Sequence, residues 1–180
     1  ISLFFFALLT IHNLSAQTSP TADELLANAI AAQQFAGINA GIAVGDDITG
    51  LGADGYCSED RQTPCNTDTR HRIASISKTF TAVAALQLYE KGLLDLDLPI
   101  AHYLPDYPSA AAQKITARQL LHHTAGIGGY ESSKEAETTQ EYPTLADAIT
   151  IFQDRPLLFE PGTQYQYSTY GYVLLGRVIE

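Results

Sequence analysis

The chain has 180 residues, 46% of them apolar and 17% charged, a balance that suits a folded globular protein and excludes disordered and collagen-like classes. Ten Lys and Arg against twenty Asp and Glu leave a formal charge of −10 at pH 7, which repels phosphate backbones and anionic lipid, so no nucleic-acid partner is expected. The sequence opens on Ile1 and stops at Glu180 inside the apolar run from Tyr172 to Ile179, and it reads as an N-terminal fragment truncated at its C-terminal side.

The opening run from Ile1 to Ile11 is uncharged, apolar and too short to span a bilayer, and a polar stretch ending in Ser15-Ala16-Gln17 follows it. Residues 1–16 therefore read as a signal peptide, with a membrane anchor or a buried strand as the alternative. A mitochondrial presequence would carry Arg on an amphipathic helix, and the first Arg is Arg61. The expected destination is secreted or periplasmic rather than mitochondrial, with no stable membrane span after cleavage. Residues 17–36 form a linker and a helix, since Thr21-Ala22-Asp23-Glu24 has the pattern of a capping box and Leu25, Leu26, Ala29, Ile30 and Ala32 follow at helical spacing. Residues 37–180 make up the main domain. Its first element is a β-hairpin, Ile38 to Val44 and Ile48 to Leu51 around the acidic turn Gly45-Asp46-Asp47, ended by Gly52-Ala53-Asp54-Gly55. Cys57 and Cys65 are the only cysteines, and two readings stay open for them: a small closed loop in an oxidising compartment, or two unlinked thiols.

From Ile76 to Lys91 the residues Ile76, Phe80, Val83, Ala84, Leu88 and Tyr89 recur three or four apart, which predicts a long helix, and Gly92 stands where a left-handed C-terminal cap would. Leu93 to Pro108, punctuated by Pro99, Pro105 and Pro108, reads as an extended connection. Thr116-Ala117-Arg118-Gln119 is another capping box, opening a short helix from Ala117 to His122 that Thr124-Ala125-Gly126 closes. Gly128 to Tyr142 is polar and acidic and reads as a surface excursion, the run Glu131 to Glu141 being a solvated face. Thr144-Leu145-Ala146-Asp147 starts one more helix, through about Gln153, before Phe159-Glu160-Pro161-Gly162 turns the chain.

Chemistry enters with Arg72-Ile73-Ala74-Ser75-Ile76-Ser77-Lys78-Thr79-Phe80, where a Ser and a Lys stand three residues apart at the start of the long helix and so share one face. A serine hydroxyl is a weak nucleophile until a neighbour removes its proton, and a desolvated lysine is able to do so. Four Lys and ten Ser would produce this bare spacing by chance roughly 0.2 times, so the pattern alone decides little and its flanks matter. His122 and His123 are adjacent on a helix and point about 100° apart, which favours structural roles over a shared ligand. His71 has no carboxylate placed to orient it, and no Gly-x-Ser-x-Gly elbow occurs. No second Cys or His pair stands at ligand spacing, so neither a metal nor another cofactor is expected.

The flanks of Ser75 and Lys78, the string Leu120-Leu121-His122-His123-Thr124-Ala125-Gly126-Ile127, and Phe159-Glu160-Pro161-Gly162 leading into Tyr165-Gln166-Tyr167-Ser168-Thr169-Tyr170-Gly171-Tyr172 occur in that order. In these strings the chain resembles the serine β-lactamase-related family of class C β-lactamases, D-alanyl-D-alanine carboxypeptidases and related esterases and peptidases. Thr63-Pro64-Cys65 and the Tyr167-Ser168-Thr169 triplet are most similar to the branch that holds mitochondrial serine β-lactamase-like proteins. The resemblance implies an α/β (α+β) sandwich of the β-lactamase/transpeptidase type, an antiparallel sheet flanked by helices with a helical insert. It implies Ser75 as the acylated nucleophile, Lys78 as its activating partner and Tyr167 as proton carrier, with Tyr167 a packed aromatic on the residues alone. Thr169 stands where the family usually has Asn, which implies altered substrate anchoring and poorer β-lactam hydrolysis. The implied function is a serine hydrolase acting through an acyl-serine on peptide, amide or ester bonds of a small-molecule or peptide substrate. The alternative is a catalytically silent penicillin-binding-like or scaffold protein.

Overall fold

The computed structural model describes residues 21–32, 35–58, 60–108 and 110–180; the expected signal peptide lies outside them. No helix among the described residues is long and apolar enough to cross a membrane. The chain divides into two compact units at Arg72/Ile73.

In the first unit, helix α1 (Ala22–Ala31) starts from the Thr21/Glu24 capping box, whose side chains satisfy each other's backbone amides. It ends at Ala31, earlier than the expected Gly37 boundary. Strands β1 (Gly37–Val44) and β2 (Asp47–Gly55) pair antiparallel, with a register irregularity between Ile42 and Ala43. The second strand continues through the glycine-rich stretch expected to end it, because its backbone still pairs with Gly37 to Ala40 across the ladder. Helix α1 packs on β2 and buries Leu26. Ile42, Val44, Ile48 and Leu51 of the hairpin remain exposed. Of the two cysteine readings the linked one holds: Cys57 and Cys65 form a disulfide beside the Tyr56–Pro64 bridge.

The second unit begins with a 3₁₀ turn at Ala74–Ile76 that runs into helix α2 (Ser77–Glu90). Gly92, at φ +68°, ends α2 as the glycine position predicted: its amide bonds to the Tyr89 carbonyl and the Leu93 amide reaches back to Leu88, the paired bonds of a Schellman cap. The stretch from Leu93 to Pro108 is not the plain extended connection expected. Leu94, Leu96, Ile100 and Leu104 are buried, and Pro99 caps a 3₁₀ turn at Ile100–His102. The prolines there shape turns that drop leucines into the core, and backbone bonds from Ile100 to Ile115 and from Arg118 to Leu96 hold the segment down.

Helix α3 (Ala117–Leu121) carries the Thr116/Gln119 capping box as expected. The acidic excursion contains a short helix, α4 (Ser133–Ala136), and is not purely a solvated face, since Glu135 is largely covered and bonded to Arg155 and Tyr170. Helix α5 covers only Leu145–Ile149. Beyond it the amides of Thr150, Ile151 and Phe152 bond three residues back instead of four, so the helix tightens into turns before Gln153. The apolar run near the chain end is helix α6 (Thr169–Ile179), capped by Ser168. Its Leu174 and Leu175 sit fully buried with Ile100, Ile115 and Leu120, and α2, α3 and α5 all pack against it.

Candidate active site

Ser75 lies in the 3₁₀ turn, preceded by Ala74 at φ +46°, a left-handed conformation costly for any residue with a Cβ and held only where surroundings impose it. One turn on, the half-buried Lys78 aims Nζ back at the Ser75 Oγ, 3.3 Å away. The Tyr167 hydroxyl donates to the same Oγ at 2.6 Å. Lys78 also donates to the Thr169 Oγ1 at 3.4 Å, and its Nζ stands 5.0 Å from the Tyr167 ring centre and 5.8 Å from that of Tyr172. All four residues singled out in the sequence, Ser75, Lys78, Tyr167 and Thr169, thus meet at one point.

Two chain segments deliver Tyr167 there. The loop after α3 and the segment after Pro156 are joined by three backbone hydrogen bonds: Leu158 to the Gly126 carbonyl at 2.8 Å, Gly162 to Thr124 at 2.8 Å and Gln166 to His123 at 2.9 Å. Gly126 sits at φ +80°, where a Cβ would press into the Phe159 carbonyl, so the two segments approach this closely only with glycine there. Ser168 is buried and fully engaged: its hydroxyl donates to the Gly128 carbonyl at 2.7 Å and accepts from the Gly171 amide, opening α6 directly after Tyr167.

Opposing effects act on the Tyr167 phenol. Burial pushes its pKa up, but Lys78, with the hydrogen bonds to Ser75 and Thr169, more than offsets burial and leaves it below the ordinary tyrosine value. Burial raises Tyr172, as does the neighbouring Tyr167, and its hydroxyl donates to the Leu121 carbonyl at 3.1 Å. The two adjacent phenols are therefore driven apart: one toward giving up its proton and one toward keeping it. Burial, then the charge of Lys78, lowers His123. The cluster has the parts that acyl transfer to serine needs: an exposed hydroxyl, a phenol of lowered pKa bonded to it, and a cation beside both.

Sequence analysis gave His122 and His123 structural roles alike, and the structure places them in different surroundings. His122 is exposed, whereas the His123 ring lies 4.5 Å from the Tyr167 ring and its Nδ1 accepts the Ser168 amide. The only sequence signal for this was the position of His123 inside the Leu120–Ile127 string. Ser168 was legible as an N-cap only once the following run was known to be helical. His71 belongs to the first unit, where its ring nitrogen and the sulfurs of Cys57 and Cys65 lie within 4.8 Å of one another. With both sulfurs used in the disulfide, neither is a thiolate ligand.

A family model described as β-lactamase matches residues 22–180. The chain belongs to the β-lactamase family. This β-lactamase-family chain is 28% identical to the human protein named serine beta-lactamase-like protein LACTB, mitochondrial, over 80% of its own length and 39% of that protein's. Its fold matches the D-amino acid amidase of Ochrobactrum anthropi SV3, solved with L-phenylalanine, at a TM-score of 0.71 and 29% identity, covering 86% of this chain and 42% of the amidase. It also matches EstCE1, described as a hydrolase with promiscuous acyltransferase activity, at a TM-score of 0.70 and 27% identity, covering 86% and 44%. The chain spans about two fifths of the length of these relatives. The resemblance drawn from its strings and the fold class it implied, a β-lactamase/transpeptidase-like arrangement of helices and antiparallel strands, hold.

Proposed function

We propose that the protein to which this chain belongs is an exported serine hydrolase that cleaves amide, peptide or ester bonds of small-molecule or peptide substrates through an acyl-serine. The observation that carries the reading is the 2.6 Å hydrogen bond between Tyr167 and Ser75, made beneath the Lys78 ammonium. In its deprotonated form the Tyr167 oxygen takes the Ser75 proton as Oγ attacks the acyl carbon. The phenol then returns that proton to the departing amine or alcohol. Lys78 stabilises the phenolate, and Thr169 holds the ammonium in place. A water molecule attacks the resulting ester, losing its proton to Tyr167, and Ser75 is regenerated when the phenol protonates Oγ. Family membership, together with an amidase and an acyl-transferring hydrolase among its fold relatives, supports this chemistry. The disulfide supports an oxidising destination.

The test is labelling of the full-length protein with a fluorophosphonate, followed by peptide mass spectrometry. The adduct is expected on Ser75 and absent from Ser75→Ala. An adduct elsewhere would place the nucleophile at another residue, and none while the folded protein still binds penicillin reversibly would replace the hydrolase reading with that of a catalytically silent ligand-binding protein.

A further inference from the structure

His123 does more than fill space beside the phenol. It follows α3 at φ +58°, a left-handed conformation that is uncommon for a residue other than glycine. In that pose it takes two amides at once: its carbonyl accepts from Gln166 at 2.9 Å and its ring Nδ1 accepts from Ser168 at 3.2 Å. These amides lie on either side of Tyr167. The imidazole also leans on the Tyr167 ring at 4.5 Å and 37°, on the Tyr172 ring at 5.1 Å and 34°, and meets Tyr165 edge-on at 6.0 Å. One residue therefore grips the backbone before and after the phenol and supports its ring.

We infer that His123 is a positioning residue for Tyr167, which it holds against Ser75 only while its Nδ1 carries no proton. The inference rests on the acyl-serine reading above. An N–H donor needs a lone pair, so the Ser168 bond fixes the neutral ring with its proton on Nε2. Protonation at Nδ1 would turn that acceptor into a second donor facing an amide, and would set a positive charge beside Lys78. The groups facing the ring are Lys78 from α2, Tyr165 and Tyr167 from the segment before α6, and Tyr172 from α6. Burial and the Lys78 charge both favour the neutral ring, in agreement with the hydrogen bond.

Two substitutions separate the acceptor from the ring. In His123→Asn the side-chain Oδ1 occupies the position of Nδ1, so the acceptor persists without a titrating group. In His123→Phe the ring persists without an acceptor. With the full-length protein and p-nitrophenyl acetate, His123→Phe is expected to lower kcat about tenfold or more at neutral pH with KM little changed, because the Ser168 amide loses its partner. His123→Asn is expected to keep most of the neutral-pH rate, and its rate relative to wild type is expected to rise as pH falls below the ordinary histidine range. Nitrogen NMR of labelled histidine, with the His123 signal assigned by its loss in His123→Asn, is expected to show an unprotonated Nδ1 at neutral pH, whatever the fate of the Phe variant. A protonated Nδ1, an undiminished kcat in His123→Phe, or a constant Asn-to-wild-type ratio at acid pH overturns the inference. Turnover that survives Ser75→Ala removes the acyl-serine reading and this inference with it, whereas turnover lost in Ser75→Ala but unchanged in His123→Phe overturns this inference alone.

Discussion

Tyr167 and Thr169, two residues apart, divide the work around Lys78. Because Tyr167 is held below the ordinary tyrosine value, and because the proposed mechanism needs the deprotonated phenol to accept the Ser75 proton, kcat/KM of the full-length protein is expected to rise with pH and level off below pH ~10. Tyr167→Phe is expected to lower kcat by about 10²- to 10⁴-fold, the usual worth of a positioned proton carrier, while fluorophosphonate still reacts slowly at Ser75. The short Thr169 hydroxyl reaches the ammonium at 3.4 Å but carries no amide to offer a substrate. Thr169→Asn is therefore expected to raise nitrocefin turnover relative to p-nitrophenyl acetate turnover, by up to about tenfold for each 1.4 kcal/mol by which the amide stabilises the β-lactam transition state. A ratio that stays level or falls would mean that the hydroxyl is adapted to the ammonium alone. At this scale the sequence was most informative where spacing sets geometry: Ser75 and Lys78 are neighbours on any helix. Tyr167 and Thr169 lie more than ninety residues further on, and only the resemblance to a family pointed to them.

At the scale of elements, the acidic excursion is tied to α6 through Tyr170. Its buried hydroxyl donates to Glu135, which also accepts from Arg155 at 2.7 Å and from the Glu131 amide at 2.6 Å, while Phe152 stacks on the Tyr170 ring at 4.6 Å. The Tyr170 bond first, then the Glu131 amide and Arg155, pull the Glu135 carboxyl down to about 2. A carboxyl lowered on folding stabilises the native state above its unfolded value and loses that contribution as pH falls through the folded one. The difference in melting temperature between the full-length protein and its Glu135→Ala variant is thus expected to be constant near neutrality and to shrink between pH ~4.5 and ~2. At neutral pH the variant is expected to lose about 1–3 kcal/mol, since it leaves a buried phenol without an acceptor. Glu135→Gln, which keeps an acceptor oxygen, should lose less. None of this could be read from a run of charges: Glu131 to Glu141 looks the same whether it faces water or an arginine twenty residues away. The capping boxes at Thr21 and Thr116 and the helix start at Thr144 could be read, because their bonds span three residues and need no tertiary partner. The shortened α5 and the buried leucines after Gly92 could not, since packing against α6 and Ile115 decides both.

For the whole molecule, each unit leaves large apolar side chains open to solvent: in the first, Ile42 and Val44 on one side of the hairpin and Ile48 and Leu51 on the other, and in the second, Phe80, Val83, Leu86 and Tyr89 along α2. Surfaces of this kind are normally covered, so the 180-residue chain on its own is expected to self-associate, measured as a sedimentation coefficient that climbs with concentration. A monomer throughout would contradict this. The recurrence of apolar residues three or four apart made α2 easy to place, but periodicity alone does not say what covers it. In the first unit, Cys57 and Cys65 are eight positions apart, and closing so short a ring is worth about 2–3 kcal/mol through the unfolded state. Cys57→Ser with Cys65→Ser is expected to lower the denaturation midpoint of that unit, and dithiothreitol to have no further effect on the double variant.

The three backbone bonds between the loop after α3 and the segment after Pro156 have a practical consequence. They close the base of a long excursion, and the cost of lengthening a loop whose ends are already fixed grows only with the logarithm of its length. Thr138 to Glu141, exposed and without regular structure near the middle of that excursion, is therefore the place to insert an affinity tag or a fluorophore. Such a handle would report on the protein's surroundings or immobilise it on a surface without disturbing the residues that meet at Ser75.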